Sequence, residues 1–110
     1  MEIRENNTVC IFTPLCEKLD SYDIKKLFDR IERESRKVAI DLSYVQDCTI
    51  EFVDKLKNYA GKDLGIFNIA SDLFVLFNIM NLDKSVNLFV SEIDFEENSR
   101  QIINRKFSVI

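Results

Sequence analysis

The sequence predicts an α/β domain, with a mixed β-sheet of four to five strands packed against about four α-helices and residues 1–110 forming one unit. Three observations lead there. β-Rich runs alternate with stretches of helical period along the chain, in the order β, β, α, β, α, β, α, β, α. Two of those runs, "KVAIDL" and "LGIFNI", are apolar with little alternation, the pattern of strands covered on both faces and joined through helical crossovers. The composition, 46% hydrophobic and 31% charged over 110 residues, suits a single folded core and is too apolar for disorder.

Each element has its own reason. "TVCIFT", residues 8–13, is a strand with Val9, Ile11 and Thr13 on one side and Cys10 and Phe12 on the other; Glu5-Asn6-Asn7 turns it back onto a short edge strand. Pro14 ends it. Asp20 caps the first helix, with Asp23 in its first turn, and Ile24, Leu27, Phe28 and Ile31 make an inward stripe. The mixed charges of Lys25, Lys26, Asp29, Arg30, Arg33 and Glu34 read as its solvated side. Val38, Ala39, Ile40 and Leu42 make the central strand. After a polar turn at Gln46-Asp47-Cys48-Thr49, a second helix is expected from about Thr49 to Ala60, burying Ile50, Val53, Leu56 and Ala60, with Gly61 as its stop. "LGIFNI" is another buried strand. A third helix starts at Ser71 or Asp72 with Leu73, Leu76, Phe77 and Met80 inward, leaving Phe74, Val75 and Ile79 outside that stripe. "VNLFV", residues 86–90, is the last strand, and residues 94–104 are a weaker helix carrying Phe95, Ile102 and Ile103. "KFSVI" has no assignment.

Composition excludes several classes of function. A net charge of -4 leaves no basic surplus for phosphate backbones, so nucleic acid is not an expected partner. With no histidine, the commonest general base and the favoured transition-metal ligand are missing, and neither a catalytic nor a metal site is expected. The three cysteines, Cys10, Cys16 and Cys48, have no paired or zinc-type spacing and are expected as reduced thiols. No apolar run reaches the roughly 20 residues of a membrane span, and "MEIRENN" is unlike a signal sequence, so the expected location is the cytoplasm.

Three stretches, taken with the order of elements, resemble a known family. "LCEKLDSYDIKKLF" is similar to a strand-to-helix passage, "VAIDLSYVQDCTIEF" to a strand ending in Asp-Leu-Ser followed by a helix start, and "LGIFNIASDLFVLFNIMNLDKSVNLFV" to a strand, helix and final strand of the STAS domain, named for sulphate transporters and anti-sigma-factor antagonists. The resemblance covers nearly the whole chain. It implies a non-catalytic, cofactor-free regulatory module of bacterial signalling and transcription that binds a protein. In the antagonist branch the partner is an anti-sigma factor that is also a kinase, and phosphorylation of one hydroxyl at the start of the second helix breaks the complex. A phosphoryl group adds about -1.5 to -2 charges to the docking surface. A runner-up partner within the same resemblance is the ATPase assembly of a lipid transporter, in which docking is constitutive.

On that resemblance Gln46 stands at the family's acidic position, Asp47 at its first serine, Cys48 at the phosphorylated hydroxyl, and Thr49 and Glu51 at its two glycines. Cys48 has no hydroxyl, and Thr49 is one residue late, a rotation of about 100 degrees around a helix. Cys48 and Thr49 are therefore a degenerate switch. Cys48 admits three readings: a small space-filling residue, a redox-sensing thiol activated by a helix N-terminus, or the centre of a permanently charged site between Asp47 and Glu51. An alternative of another class is a small enzyme with Cys48 as nucleophile, whose base, without histidine, would be a carboxylate or lysine. The carboxylates oppose a thiolate and also suit an ordinary first helical turn. The expected partner surface is Asp20, Asp47, Cys48, Thr49 and Glu51, extended by Ser71, Asp72 and Phe74 at the start of the third helix, whose extra apolar residues suit docking or burial under a neighbouring segment.

Overall fold

The computed structural model describes residues 1–59 and 63–97. Ala60, Gly61, Ile102, Ile103 and the "KFSVI" terminus lie outside that description. A hairpin opens the chain: β1 (Glu2–Glu5) and β2 (Val9–Thr13) are antiparallel, with Glu2 opposite Thr13 and Glu5 opposite Cys10. Asn6 holds the turn, its Oδ1 accepting from the backbone N–H of Thr8 at 2.8 Å and of Val9 at 2.9 Å, the local bonding that makes Asn a turn residue. There follow β3 (Lys18–Leu19), α1 (Ser21–Glu32), β4 (Lys37–Asp41), β5 (Asp47–Cys48), α2 (Ile50–Lys57), β6 (Leu64–Phe67), α3 (Ser71–Ile79), a 3-10 turn at Leu82–Lys84 and β7 (Asn87–Leu88). A further helix, α4, is described over 92–97.

The main sheet has the order β1-β2-β4-β6-β7 and is mixed, antiparallel at β1/β2 and parallel elsewhere. Each parallel neighbour is reached through a helix, and the steps run one way across the sheet. Right-handed crossovers therefore put α1, α2 and α3 on the same face. On that side Cys10, Phe12, Val38, Ile40, Leu64 and Ile66 meet the buried stripes of the three helices. β4 is central and buried on both faces, as its sequence required.

The opposite face has a smaller core of Ala39, Phe67, Phe89 and Phe95, with Val9 and Ile11 half-buried beside it. Phe95 of α4 packs tilted 5.5 Å from Phe67 and edge-on 5.4 Å from Phe89, ring centre to ring centre. Gly65 makes room for it: a Cβ at that position would fall 2.7 Å from Phe95 Cε1. The start of α4 is clamped by Arg4, which donates to the two Glu92 oxygens at 3.0 and 2.9 Å and to Asp41 Oδ2 at 3.3 Å. Asp41 is 6% exposed, and it also accepts from the Ser43 N–H at 3.0 Å and from Asn68 Nδ2 at 3.1 Å. Asn68 sits at φ 57°, a left-handed conformation that Asn tolerates, and there the chain turns out of β6. The Asp-Leu-Ser sequence thus closes a half-buried polar network around the buried Asp41 carboxylate, as buried charge requires.

α1 matches its expected stripe and cap: Ile24, Leu27, Phe28 and Ile31 are buried, and Asp20 Oδ1 accepts from the Asp23 N–H at 3.0 Å. Other expectations are corrected. Ile50 is 60% exposed, and Phe52, Val53 and Leu56 form the buried face of α2, which ends at Lys57, ahead of Ala60 and Gly61. The supposed turn at Asp47-Cys48 is a two-residue strand. Leu76 and Met80 are half-buried, the last strand is only Asn87–Leu88, and α4 begins at 92. No helix among the described residues is long and apolar enough to cross a membrane.

Candidate docking site at the paired helix origins

β3 and β5 form a second, two-stranded parallel sheet, with Lys18 opposite Asp47 and Leu19 opposite Cys48. The Glu17 carbonyl anchors it, accepting from the N–H groups of Gln46 at 2.7 Å and Asp47 at 3.0 Å. Strand alternation turns Leu19 and Cys48 into the core and leaves Lys18 and Asp47 exposed. Each short strand then runs directly into a helix. Leu19 leads to Asp20, the cap of α1, and Cys48 leads to Thr49, the cap residue of α2. Two helices consequently begin side by side, and Ser21 Oγ of one donates to Glu51 Oε1 of the other at 2.9 Å.

The exposed surface at these origins is acidic with an apolar member. Asp20, Asp47 and Glu51 are exposed, Ile50 beside Glu51 is exposed as well, and Tyr44 in the preceding loop is 57% exposed. The Asp20 carboxyl is held below its ordinary range, chiefly by the N–H of Asp23. That is the expected response of a carboxylate that caps a helix. Glu51 lies in the first turn of α2, where the helix dipole favours negative charge.

The two switch positions differ from their neighbours. Cys48 is 8% exposed, and burial, followed by the charge of Asp47, pushes its thiol up to about 11. At neutral pH it is protonated, and this geometry gives the redox and nucleophile readings no support. It packs in the main core with Leu73 and Phe77 of α3. The thiols of Cys10 and Cys16 are also raised, in each case first by burial. Thr49 is half-buried, does not cap α2 through its side chain, and keeps its hydroxyl oxygen shielded with no hydrogen-bond partner. A kinase does not meet that hydroxyl at the surface.

Ser71, Asp72 and Phe74 are exposed at the start of α3, and Val75 and Ile79 extend the exposed apolar strip. α3 packs on β5, yet no hydrogen bond or ion pair among the described residues joins Ser71 or Asp72 to the paired origins. The structure brings Asp20, Asp47 and Glu51 together and leaves the α3 residues as a neighbouring surface. Ser21 and Ile50 were missed as members. Their signal was weak, since a serine after a cap and an isoleucine at the first helical position are both ordinary. Among the described residues no group of Cys, Asp and Glu side chains is arranged to hold a metal ion.

Compared with known proteins, the chain matches no protein-family model and no curated protein. The fold itself defines the class: an α/β domain whose described residues form a mixed five-stranded main sheet and four helices.

Proposed function

We propose that this chain is a non-catalytic, STAS-like docking module that binds a partner protein through the paired origins of α1 and α2, in the manner of an anti-sigma factor antagonist. The observation that carries the reading is the exposed Ile50 beside Glu51 at the start of α2, joined through the Ser21–Glu51 hydrogen bond to the start of α1, with Asp20 and Asp47 exposed at the strand ends that lead into the two helices. A central apolar anchor with a polar rim is the usual anatomy of an interface. Its complement is an apolar pocket rimmed by Lys and Arg. A kinase-type anti-sigma factor is the partner class that the resemblance implies. Cys48 serves this surface from behind, as packing under the start of α2.

A second reading has its own support. Cys48 offers no hydroxyl and the Thr49 hydroxyl is shielded, so neither position favours a phosphorylation switch. That suits constitutive docking, for example as a STAS-like subunit of a lipid-transport ATPase assembly. Affinity capture from the source cell with the wild-type chain and with Asp47→Lys and Ile50→Asp tests both readings. One protein, recovered by the wild type and lost with either variant while the circular dichroism spectrum is unchanged, supports the docking surface. A kinase among the recovered proteins favours the first reading and an ATPase the second. Equal recovery by all three chains overturns both.

A further inference from the structure

From a separate part of the molecule, we propose that a groove along α1 is a second docking site, which takes an acidic amphipathic segment of a partner protein. The groove lies between α1, β1 and the Pro14–Cys16 segment and has a volume of about 490 Å³. Its floor is apolar, from Ile3, Pro14, Leu15 and Leu27, and Leu15 is 56% exposed with nothing over it among the described residues. Its wall is cationic. Lys26 and Arg30 on α1 and Arg33 at its C-cap stand at i, i+4 and i+7, which places them on one side of the helix. None of the three makes an ion pair with another described residue, although Arg4, Arg36 and Lys37 all do.

The arrangement selects an elongated ligand. Two helical turns separate Lys26 from Arg33, a rise of about 10 Å, so one phosphate or one carboxylate headgroup cannot reach all three cations. A peptide with acidic side chains at matching spacing can, and its apolar side settles on the floor. Asp23 and Asp29 also line the groove. They reduce the surplus of cationic side chains to one, and they disfavour a polyanion with charge on every side. Asp23 marks the end nearest Cys16, whose thiol it raises further after burial. Lys26 also lies 5.0 Å over the Tyr22 ring, which leaves Arg30 and Arg33 as the cations most open to a ligand. In a chain of net charge -4, a basic stripe without ion pairs over apolar floor is the local exception. This site rests on its own lining and not on the reading of the α1 and α2 origins.

The test is a fluorescence-anisotropy titration of the full chain with a labelled helical peptide carrying Glu at i, i+4 and i+7 beside a leucine stripe. Controls are a scrambled peptide of the same composition, laurate and inorganic phosphate. Saturable binding is expected, weakened by added salt and reduced about tenfold or more by Arg30→Glu/Arg33→Glu. A peptide with Lys in place of each Glu should recover binding to that variant, a result that no loss of fold mimics. Leu15→Asp, at an exposed position, should weaken both peptides. Equal binding of the scrambled peptide, indifference to the charge reversal, or saturation by laurate or phosphate but not by the peptide would overturn the proposal. Loss of peptide binding in Asp47→Lys with the charge-reversed groove still active would do so as well, because it would move the site to the helix origins.

Discussion

Replacing Gly65 with alanine should loosen the outer face of the sheet, and the size of the effect follows from the packing. The new Cβ falls 2.7 and 2.8 Å from Phe95 Cε1 and Cδ1 and 3.1 Å from Phe89 Cε2. The Phe95 ring has little room to give, held between Phe67 and Phe89 with the Lys37 ammonium 5.1 Å from its centre. Overpacking of this kind costs about 1–3 kcal/mol. Disturbing two aromatic contacts adds up to about 1 kcal/mol each. Alanine returns about 0.5–1 kcal/mol, because glycine is the poorer residue in a strand. The net expectation is a loss of about 2 kcal/mol. Phe95→Ala alone should cost about 3–5 kcal/mol as a large core deletion. In that background Gly65→Ala should be nearly neutral, a coupling of about 2 kcal/mol between the two positions. Urea unfolding followed by far-ultraviolet circular dichroism measures all four chains, a probe chosen because the protein has no tryptophan. If Gly65→Ala costs as much without Phe95 as with it, the glycine is not there to admit the ring and the account of this face is wrong.

Further predictions follow from the same structure. Phe52→Ala should cost about 3–5 kcal/mol whereas Ile50→Ala should cost under about 0.5 kcal/mol, since Phe52 is fully buried and Ile50 is exposed; similar losses in urea titrations would reject the face assigned to α2. Removing the α1 cap with Asp20→Ala should cost about 1 kcal/mol, read as a lower thermal midpoint. The Cys48 thiol is raised from 9.0 to about 11, so the fold prefers its protonated form. Its contribution is whole below pH 9.0 and is lost as pH rises toward about 11; stability over that window should fall less steeply in Cys48→Ala than in the wild type. Glu34 accepts from Arg36 Nη2 at 2.6 Å and its carboxyl is drawn down to about 2, first by that side chain, so its support for the fold is present above 4.5 and fades as pH falls toward 2. Carboxylate titration by NMR should find this low value and should raise it in Arg36→Gln, short of the ordinary range because the Ser35 and residue-36 N–H groups still donate to it.

The parts of the fold that were legible in the sequence are those with redundant signals. α1 has a cap, a first-turn acid and four apolar residues in register, each pointing to the same helix. β4 needed only its continuous apolar run. α2 was misread because two apolar series overlap in it: Ile50, Val53 and Leu56 follow helical spacing, and so do Phe52, Val53, Leu56 and Tyr59. The larger aromatic side chains take the interior, where Phe28 lies 6.1 Å from Phe52 and 5.5 Å from Tyr59. β3 and β5 were illegible for another reason. Strands of two residues have no period to detect, and their pairing joins segments nearly 30 residues apart. That pairing creates the candidate site, so Asp20, Asp47 and Glu51 could be nominated from the resemblance but not seen as neighbours. The groove along α1 was hidden likewise: Lys26, Arg30 and Arg33 look like a solvated helix face until the hairpin supplies the floor beside them.

The most direct test of docking at the helix origins is an amide chemical-shift map of the isotopically labelled chain, titrated with the purified protein that it captures. The largest changes should cluster at residues 20, 21, 44 and 47–51, with smaller ones at 71–74. Changes confined to the outer face around Gly65, Phe89 and Phe95, with the origins of α1 and α2 unperturbed, would contradict it.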